Sequence, residues 1–258
     1  MQPPIESPAT ILSTIAYGET SKVARLATRE IGVVSVIAKG ARRPKSRFGA
    51  SLQVLTAGQA TIHLARHSDL HTLAAFDLVE VRDALGASME RFAAASVLSE
   101  LMLRFAPHEQ QVELYEFFAH SLSVLEAMTD GAVPIVGLRA IWGLVKRLGF
   151  APTLSACARD GASVTIESGG AAFSPAHGGV LCGRCAQTVE SGRLAARDLG
   201  DLEVLIHGHE DLPALDARYL AAHRRLLDRY LRYHLADGLA LPALSFWSAQ
   251  AWQDGLAR

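Results

Sequence analysis

Short apolar stretches separated by glycines fill roughly the first eighty residues of the chain. Six segments rich in Val, Ile, Leu and Thr are predicted as strands: 10–16, 23–28, 33–38, 52–56, 60–64 and 73–81. Glycines such as Gly18, Gly32 and Gly58 stand between them. Five or six short strands in a segment of this size predict a small closed barrel. The OB-fold is the common solution, and an SH3-like barrel is the alternative.

After Gly86 the apolar positions follow a helical period. Apolar side chains recur at this spacing over residues 89–105, 115–125 and 138–148, and a wide apolar face follows from Leu215 to Leu235. A Gly-rich stretch from Gly149 to Arg193 interrupts the pattern and contains all three cysteines. The predicted fold is therefore α+β and multidomain. An OB-fold β-barrel over residues 1–82 precedes an α-helical domain over 83–258, with a zinc-finger-like element inserted at about 150–192.

Composition adds limits rather than a function. Of the 258 residues, 50% are hydrophobic and 20% are charged, which is typical of an ordinary globular protein. No apolar run approaches the ~20 residues that span a bilayer, and residues 1–8 lack the features of a signal peptide. We therefore expect a cytoplasmic protein without a membrane partner. The formal net charge of −1 does not by itself indicate a nucleic-acid ligand.

The distribution of charge along the chain does indicate a nucleic-acid ligand. A predicted loop between two strands carries five cations within nine residues, namely Lys39, Arg42, Arg43, Lys45 and Arg47. Loops between OB strands commonly contact nucleic acid, and such cations neutralise phosphates without reading bases. A merely solvated basic loop is the alternative. Lys22 and Arg25 are further candidates for DNA binding, although strand alternation places them on opposite faces.

The cysteines have the spacing of a metal site. Cys157 is followed by Cys182-Gly-Arg-Cys185, and a CxxC pair is a common half of a structural zinc site. A complete four-cysteine pattern would place its fourth member at position 160, where the chain has Asp160. A carboxylate can bind zinc, so Asp160 is the in-register fourth ligand and His177 an out-of-register candidate. A metal-free degenerate knuckle and a redox CxxC are the alternatives. No His-x-Glu element accompanies the cysteines, which favours a structural over a catalytic metal.

The remaining charged and polar patterns favour structural roles. His63, His67 and His71 straddle a predicted hairpin turn and are not expected to align, whereas His223 and His234 are predicted as satisfied core residues. Arg218, Arg225, Arg229 and Arg232 share one side of the last long helix, as a solvated face or as a contact for phosphates or an acidic peptide. No Walker loop, GxGxxG, HExxH, GxSxG elbow or obvious carboxylate cluster is present. We therefore expect a protein that is not an enzyme and has no small-molecule substrate.

Several stretches together resemble the RecO family. They are Tyr17-Gly-Glu-Thr-Ser-Lys22, Ala27-Thr-Arg-Glu-Ile-Gly32 and Val36-Ile-Ala-Lys-Gly-Ala-Arg-Arg43 with Ser46-Arg47, followed by Gly149-Phe150-Ala-Pro152 before Cys157, Gly178-Gly179 before Cys182, Tyr230-Leu-Arg-Tyr233 and Pro242-Ala-Leu-Ser-Phe246. The resemblance covers nearly the whole chain. Asp160 departs from the family's four-cysteine pattern.

The resemblance implies an OB-fold followed by a helical domain with a zinc element. It also implies a recombination mediator in DNA repair that binds single- and double-stranded DNA and anneals complementary strands. Such a protein engages RecR and helps to load RecA onto DNA coated by single-stranded DNA-binding protein (SSB), in the cytoplasm and associated with the nucleoid. By the same resemblance, the basic residues of the loop contact DNA and the cysteines bind Zn²⁺. A protein-interaction scaffold with incidental DNA contact is one alternative, and a zinc-dependent enzyme acting on nucleic acid is another.

Overall fold

A computed structural model describes residues 3–49, 51–166, 168–208, 211–234, 240–250 and 252. The chain divides into two compact units, residues 1–128 and 129–258. Within the described ranges, no helix combines the length and the apolar character needed to cross a bilayer.

The first unit begins with a closed five-stranded barrel. Its strands are β1 (Ile5–Tyr17), β2 (Ser21–Thr28), β3 (Gly32–Ala38), β4 (Ala57–His63) and β5 (Leu70–Glu80). They follow the order β1-β2-β3-β5-β4, and β1 closes the barrel against β4. Of the described pairs, β3–β5 is the parallel one. This is the predicted OB-fold, and alternate residues such as Ala24, Leu26 and Ile62 fill its interior.

The predicted strand at residues 52–56 is wrong. The described residues 39–49 and 51–56 lie in one long connection between β3 and β4 and form no strand, mostly turns in the first part. Leu52 and Leu55 are buried, at 2% and 5% exposure, which gave the segment its strand-like apolar pattern. Leu55 has a φ of 70°, however, and this left-handed conformation is incompatible with a continuous strand.

Two helices complete the first unit, α1 (Met89–Phe105) and α2 (Val112–Ala127), after a 3₁₀ turn at Asp83–Gly86. The hydroxyl of Ser88 caps α1 by accepting a hydrogen bond from the backbone N–H of Arg91. The connection between the helices lies against the β2–β3 turn, where the Val33 N–H donates to the Pro107 carbonyl at 3.3 Å. The helices thus belong to the same compact unit as the barrel. The boundary between the predicted barrel domain, residues 1–82, and the predicted helical domain, residues 83–258, stays a prediction.

The second unit contains five α-helices and a small three-stranded sheet within its described residues. It comprises α3 (Val133–Arg147), β6 (Ala171–Ser174), β7 (Gly179–Leu181), the short helix α4 (Gly183–Ala186), β8 (Gly192–Leu194), α5 (Ala196–His207), α6 (Ala217–His234) and α7 (Pro242–Ala249). Trp142 of α3 and Tyr230 of α6 meet in the core, with ring centroids 5.6 Å apart. The predicted helices and the Gly-rich interruption are confirmed. Leu235, the predicted end of the last long helix, lies outside the described residues.

Candidate nucleic-acid interface and metal centre

Apolar anchors and short turns fix the cationic loop to the end of the barrel. Ala41, Phe48 and Leu52 belong to the barrel core, and Phe48 is only 2% exposed. Between these anchors the backbone forms successive turns, in which the N–H of Arg43 donates to Gly40 and that of Ser46 donates to Arg43. The loop is thus a defined structure in which apolar side chains point inward.

The five predicted cations all lie on the outside of this loop. Lys39, Arg42, Arg43, Lys45 and Arg47 are exposed. Among the residues that the structure describes, no carboxylate lies within 4.0 Å of their charged groups. Their charge is therefore available to an anionic ligand, since local acids do not neutralise it.

The turn between β1 and β2 supports the loop from one side. The Arg42 guanidinium donates to the Gly18 carbonyl at 3.1 Å, and the Arg42 N–H donates to the Thr20 carbonyl at 2.8 Å. Lys22 starts β2 beside this turn, and its Nζ donates to the Leu52 carbonyl at 3.4 Å. The structure thus brings Lys22 to the base of the loop.

The other β2 cations differ from Lys22. Arg25 is half-buried and has the opposite parity to the core residues Ala24 and Leu26. Arg29, at the far end, contacts Glu30 and Glu116, each at 3.0 Å. This arrangement agrees with the expectation that strand alternation separates Arg25 from Lys22.

An open groove of about 750 Å³ lies beside the loop, and the sequence did not indicate it. Arg47 and Phe48 form part of its lining, with the Arg47 guanidinium 5.1 Å from the centre of the Phe48 ring. Phe76, Leu78 and Val81 add apolar surface. Asp77 and Asp83 also line the groove, so the exposed cations of the loop, and not the groove itself, offer the favourable surface for an anionic chain.

Two tight turns build the cysteine cluster in the second unit. In the first turn, the Cys157 N–H donates to Ala162 at 2.7 Å and the Gly161 N–H donates back to Cys157 at 2.9 Å. In the second, Cys182 precedes α4 and accepts from the Ala186 N–H at 2.9 Å, which brings Cys185 to the same side. The turns thereby present Cys157, Asp160, Cys182 and Cys185 to one another, as the spacing predicted.

The distances within this cluster fit a metal ion. One donor atom from each of the four residues lies within 4.8 Å of all the others. The Asp160 Oδ2 atom is 3.3 Å from Cys185 Sγ and 3.6 Å from Cys182 Sγ. Tetrahedral zinc ligation places sulfur and oxygen ligands roughly 3.6 Å apart. The cluster can therefore bind a metal without a large rearrangement.

Arg184, inside the CxxC turn, sets the charge of the fourth donor. Its Nη2 lies 2.8 Å from the Asp160 Oδ2 atom and holds the pKa of that carboxyl well below its usual range. Burial, followed by the adjacent Asp160 carboxylate, raises the pKa of the Cys185 thiol to about 12. A bound cation would favour the thiolate forms that these contacts disfavour. His177 lies outside the cluster, with its Nδ1 atom 3.1 Å from Ser174 Oγ.

The remaining predicted polar features have mixed outcomes. A turn separates His63 of β4 from His71 of β5, as predicted. His234 is satisfied, with its Nε2 atom 2.6 Å from the Pro175 carbonyl. His223 is buried, but the prediction that it is satisfied is wrong, because neither ring nitrogen has a hydrogen-bond partner among the described residues. Sequence reasoning also missed that Asp198 and Asp201 lie beside it.

Four arginines of α6 lie on its exposed side, as predicted: Arg218, Arg225, Arg229 and Arg232. A fifth, Arg224, is buried. Arg232 makes two hydrogen bonds to Asp228, at 2.9 and 3.1 Å, and one to Ser245 Oγ at 2.8 Å. Its charge is therefore partly compensated within the protein. That the exposed arginines of α6 bind phosphates or an acidic peptide stays a prediction.

The chain combines an OB barrel that carries a cationic loop with a helical unit that carries a cysteine cluster. These features are typical of proteins that bind nucleic acid. Two family models match the chain: "Recombination protein O N terminal" over residues 1–82 and "Recombination protein O C terminal" over residues 86–241. The chain belongs to the RecO family.

Similar proteins cover most of the chain. A DNA repair protein RecO from Anaeromyxobacter dehalogenans is 34% identical over 238 residues, which is 89% of this chain and 91% of the relative. The same-named protein of Nocardioides is 32% identical over 239 residues, covering 90% and 94%. That of Symbiobacterium thermophilum is 34% identical over 192 residues, or 73% of each chain.

Proposed function

We propose that this chain is a non-catalytic DNA-binding protein of recombinational repair that anneals complementary strands. Membership of the RecO family supports a role in DNA repair and recombination. The observation that carries DNA binding is the loop over Lys39–Arg47, with five exposed cations that no described carboxylate neutralises. Cations presented in this way bind phosphates of single- and double-stranded DNA through charge alone.

Annealing follows from the same charges. Two strands repel one another through their phosphates, and a cationic surface screens this repulsion where they meet. Base stacking and pairing then drive the reaction downhill, so that the protein needs no nucleotide hydrolysis. By family resemblance, the annealing protein also engages RecR and assists the loading of RecA onto DNA coated by SSB.

We further propose that the ion at the cysteine cluster is Zn²⁺ in a structural role. Cys157, Cys182, Cys185 and Asp160 would hold it. Bound there, the ion would supply a cross-link between the two turns. The two turns gain from such a cross-link because, among the described residues, the buried cluster around them comprises Cys157, Leu181 and Cys185 with a few partly buried neighbours. Zinc analysis of purified protein against a Cys182→Ala, Cys185→Ala variant tests this, and zinc absent from the wild type would refute it.

The decisive experiment measures single-stranded DNA binding by fluorescence anisotropy across a series of salt concentrations. Each phosphate contact contributes about −0.7 to the slope of log K against log salt. The triple variant Arg42→Ala, Arg43→Ala, Lys45→Ala is therefore expected to bind more weakly and with a slope shallower by about 2. An unchanged slope would remove the loop from the DNA interface.

A matched variant separates the loop from net charge. Arg218→Ala, Arg225→Ala, Arg229→Ala likewise removes three exposed cations, but from α6. We expect this variant to retain most of its DNA affinity and to keep its salt slope. Equal losses in the two triple variants would indicate that overall charge, or a second phosphate contact on α6, governs binding as much as the loop does. Strand annealing with and without SSB then tests the mediator role.

A second candidate function is a protein-binding scaffold. It is favoured by apolar side chains exposed on the barrel, including Val79 at 77%, Ile15 at 63% and Tyr17 at 54%. Pull-down with purified RecR or SSB after nuclease treatment distinguishes this function. Partner binding by a loop variant that no longer anneals DNA would favour the scaffold.

A further inference from the structure

One buried histidine in the second unit has no hydrogen-bond partner. His223 lies on α6 and is 2% exposed. Neither its Nδ1 nor its Nε2 atom has a hydrogen-bond partner in the part of the chain that the structure describes. A buried imidazole without partners is unfavourable, because it has lost its hydrogen bonds to water. A ligand for the ring would remove this cost.

Two carboxylates face the same point from α5. Asp198 and Asp201 are three residues apart and hence share one side of the helix. The Asp198 Oδ1 and Asp201 Oδ2 atoms are buried and, among the described residues, accept no hydrogen bond. One donor atom from each aspartate and from His223 lies within 4.8 Å of the other two. Three potential ligands from two helices thus converge on one place.

The separation of these atoms suits a metal after small side-chain rotations. Tetrahedral ligation by nitrogen and oxygen at about 2.1 Å places neighbouring ligands roughly 3.4 Å apart. A cavity of about 190 Å³ adjoins the cluster and is lined by Asp198 and His223. This space accommodates an ion and the waters that complete its coordination.

The charges around the cluster are mixed, with two aspartates beside one paired arginine and two exposed ones. The Nε atom of Arg197 lies 3.6 Å from Asp201 Oδ2, so that one of the two carboxylate charges is offset. The same guanidinium lies over the Tyr219 ring at 4.1 Å and donates to the Ala214 carbonyl at 3.2 Å. Arg225 and Arg229 line the adjoining cavity, but they are exposed and hence screened by solvent. Burial lowers the pKa of His223 and so favours the neutral, metal-binding imidazole.

We infer that Asp198, Asp201 and His223 form a second metal site, separate from the cysteine cluster, for a divalent first-row transition ion such as Mn²⁺ or Zn²⁺. One imidazole with two carboxylates suits these ions, whereas Ca²⁺ and Mg²⁺ take oxygen ligands. The ion ties α5 to α6, because the ligands come from both helices. This site is independent of the proposed DNA-binding function.

Mn²⁺ provides the sharpest test, because thiolates do not select it and the cysteine cluster is thereby kept out of the measurement. Chelator-treated, untagged full-length protein is titrated with Mn²⁺, and free ion is counted by electron paramagnetic resonance. We expect one more bound Mn²⁺ per wild-type chain than per His223→Gln or Asp201→Asn chain. Zn²⁺ uptake, measured by elemental analysis, should differ by the same single ion. Either difference supports the site.

Three controls keep the outcome unambiguous. Asp228→Asn removes a carboxylate on α6 that pairs with Arg232, outside the cluster, and should leave binding unchanged. The Cys182→Ser, Cys185→Ser variant should still bind Mn²⁺, and its failure to do so would assign the ion to the cysteines and overturn the inference. Circular dichroism establishes folding of each variant, and Asp201→Asn replaces His223→Gln if the latter does not fold. Equal uptake of both ions by wild type and the folded cluster variant would refute the site.

Discussion

Replacing Phe48 tests how far DNA binding depends on the position of the cationic loop. Phe48 is 2% exposed, belongs to the barrel core and directly follows the last of the five loop cations, without carrying charge itself. Phe48→Ala therefore removes an anchor and leaves every cation in place. Truncating a buried Phe to Ala costs about 3–5 kcal/mol in unfolding free energy. Loss of the Arg47 contact over its ring adds about 0.5 kcal/mol.

The assay compares stability with DNA affinity. Urea unfolding gives the change in unfolding free energy. Fluorescence anisotropy with a single-stranded oligonucleotide, measured without urea where the protein is folded, gives the DNA affinity. Phe48→Ala should lose about 3 kcal/mol or more of stability and also bind DNA more weakly, because the released loop must be ordered again on binding. Phe48→Leu keeps an apolar anchor and should be close to wild type in affinity.

A second buried phenylalanine supplies the control. Phe118 of α2 is 0% exposed, and its truncation to Ala should lower stability to a similar degree without affecting the loop. DNA affinity should therefore fall in Phe48→Ala and hold in Phe118→Ala. Equal affinity in the two folded variants, or an unchanged stability of Phe48→Ala, would refute the view that this anchor positions the cations.

Three further predictions concern other parts of the fold. Gly32→Ala should destabilise the protein by about 2 kcal/mol or more in urea unfolding, because φ is +70° and a Cβ atom would lie 2.3 Å from the Glu109 carbonyl oxygen. Arg82→Met should cost about 2–3 kcal/mol in the same assay, since this 3%-exposed side chain pairs with Glu80 at 2.7 Å, and a cost near zero would contradict it. In metal-free protein, the lowered pKa of Asp160 stabilises the fold above the unfolded pKa of about 3.9, and this contribution is lost as pH falls further. Asp160→Asn should accordingly show a weaker fall in thermal midpoint between about pH 4 and pH 2, and an identical profile would count against it.

The barrel and helices were predictable because their periods differ. Residues of β4 alternate between buried and more exposed positions, while the apolar positions of α3 recur at helical spacing. The segment at Leu52 and Leu55 was not predictable in the same way. Buried apolar residues look alike whether they belong to a strand or anchor a loop, and only the backbone conformation of Leu55 separates the two cases.

The two candidate metal clusters differ in how far sequence reveals them. The CxxC turn and its in-register Asp160 are local, and short spacing alone brings the donors of each turn together. Asp198 and His223 are 25 positions apart and lie on two different helices. In the sequence, Asp198 and Asp201 look like ordinary charged residues on a helix surface. Their proximity results from helix packing, which no local pattern encodes.

In the cationic loop, the residues that anchor the fold are separate from the residues that carry charge, and this has an evolutionary consequence. Folding relies on Ala41, Phe48 and Leu52, whereas the charges reside on separate, exposed side chains. Substitutions that exchange, add or remove a surface cation should hence change DNA affinity with stability effects within about 0.5 kcal/mol. Under the proposed function, selection can adjust how tightly the loop holds DNA, and so how readily an annealed duplex is released, while the barrel beneath stays the same.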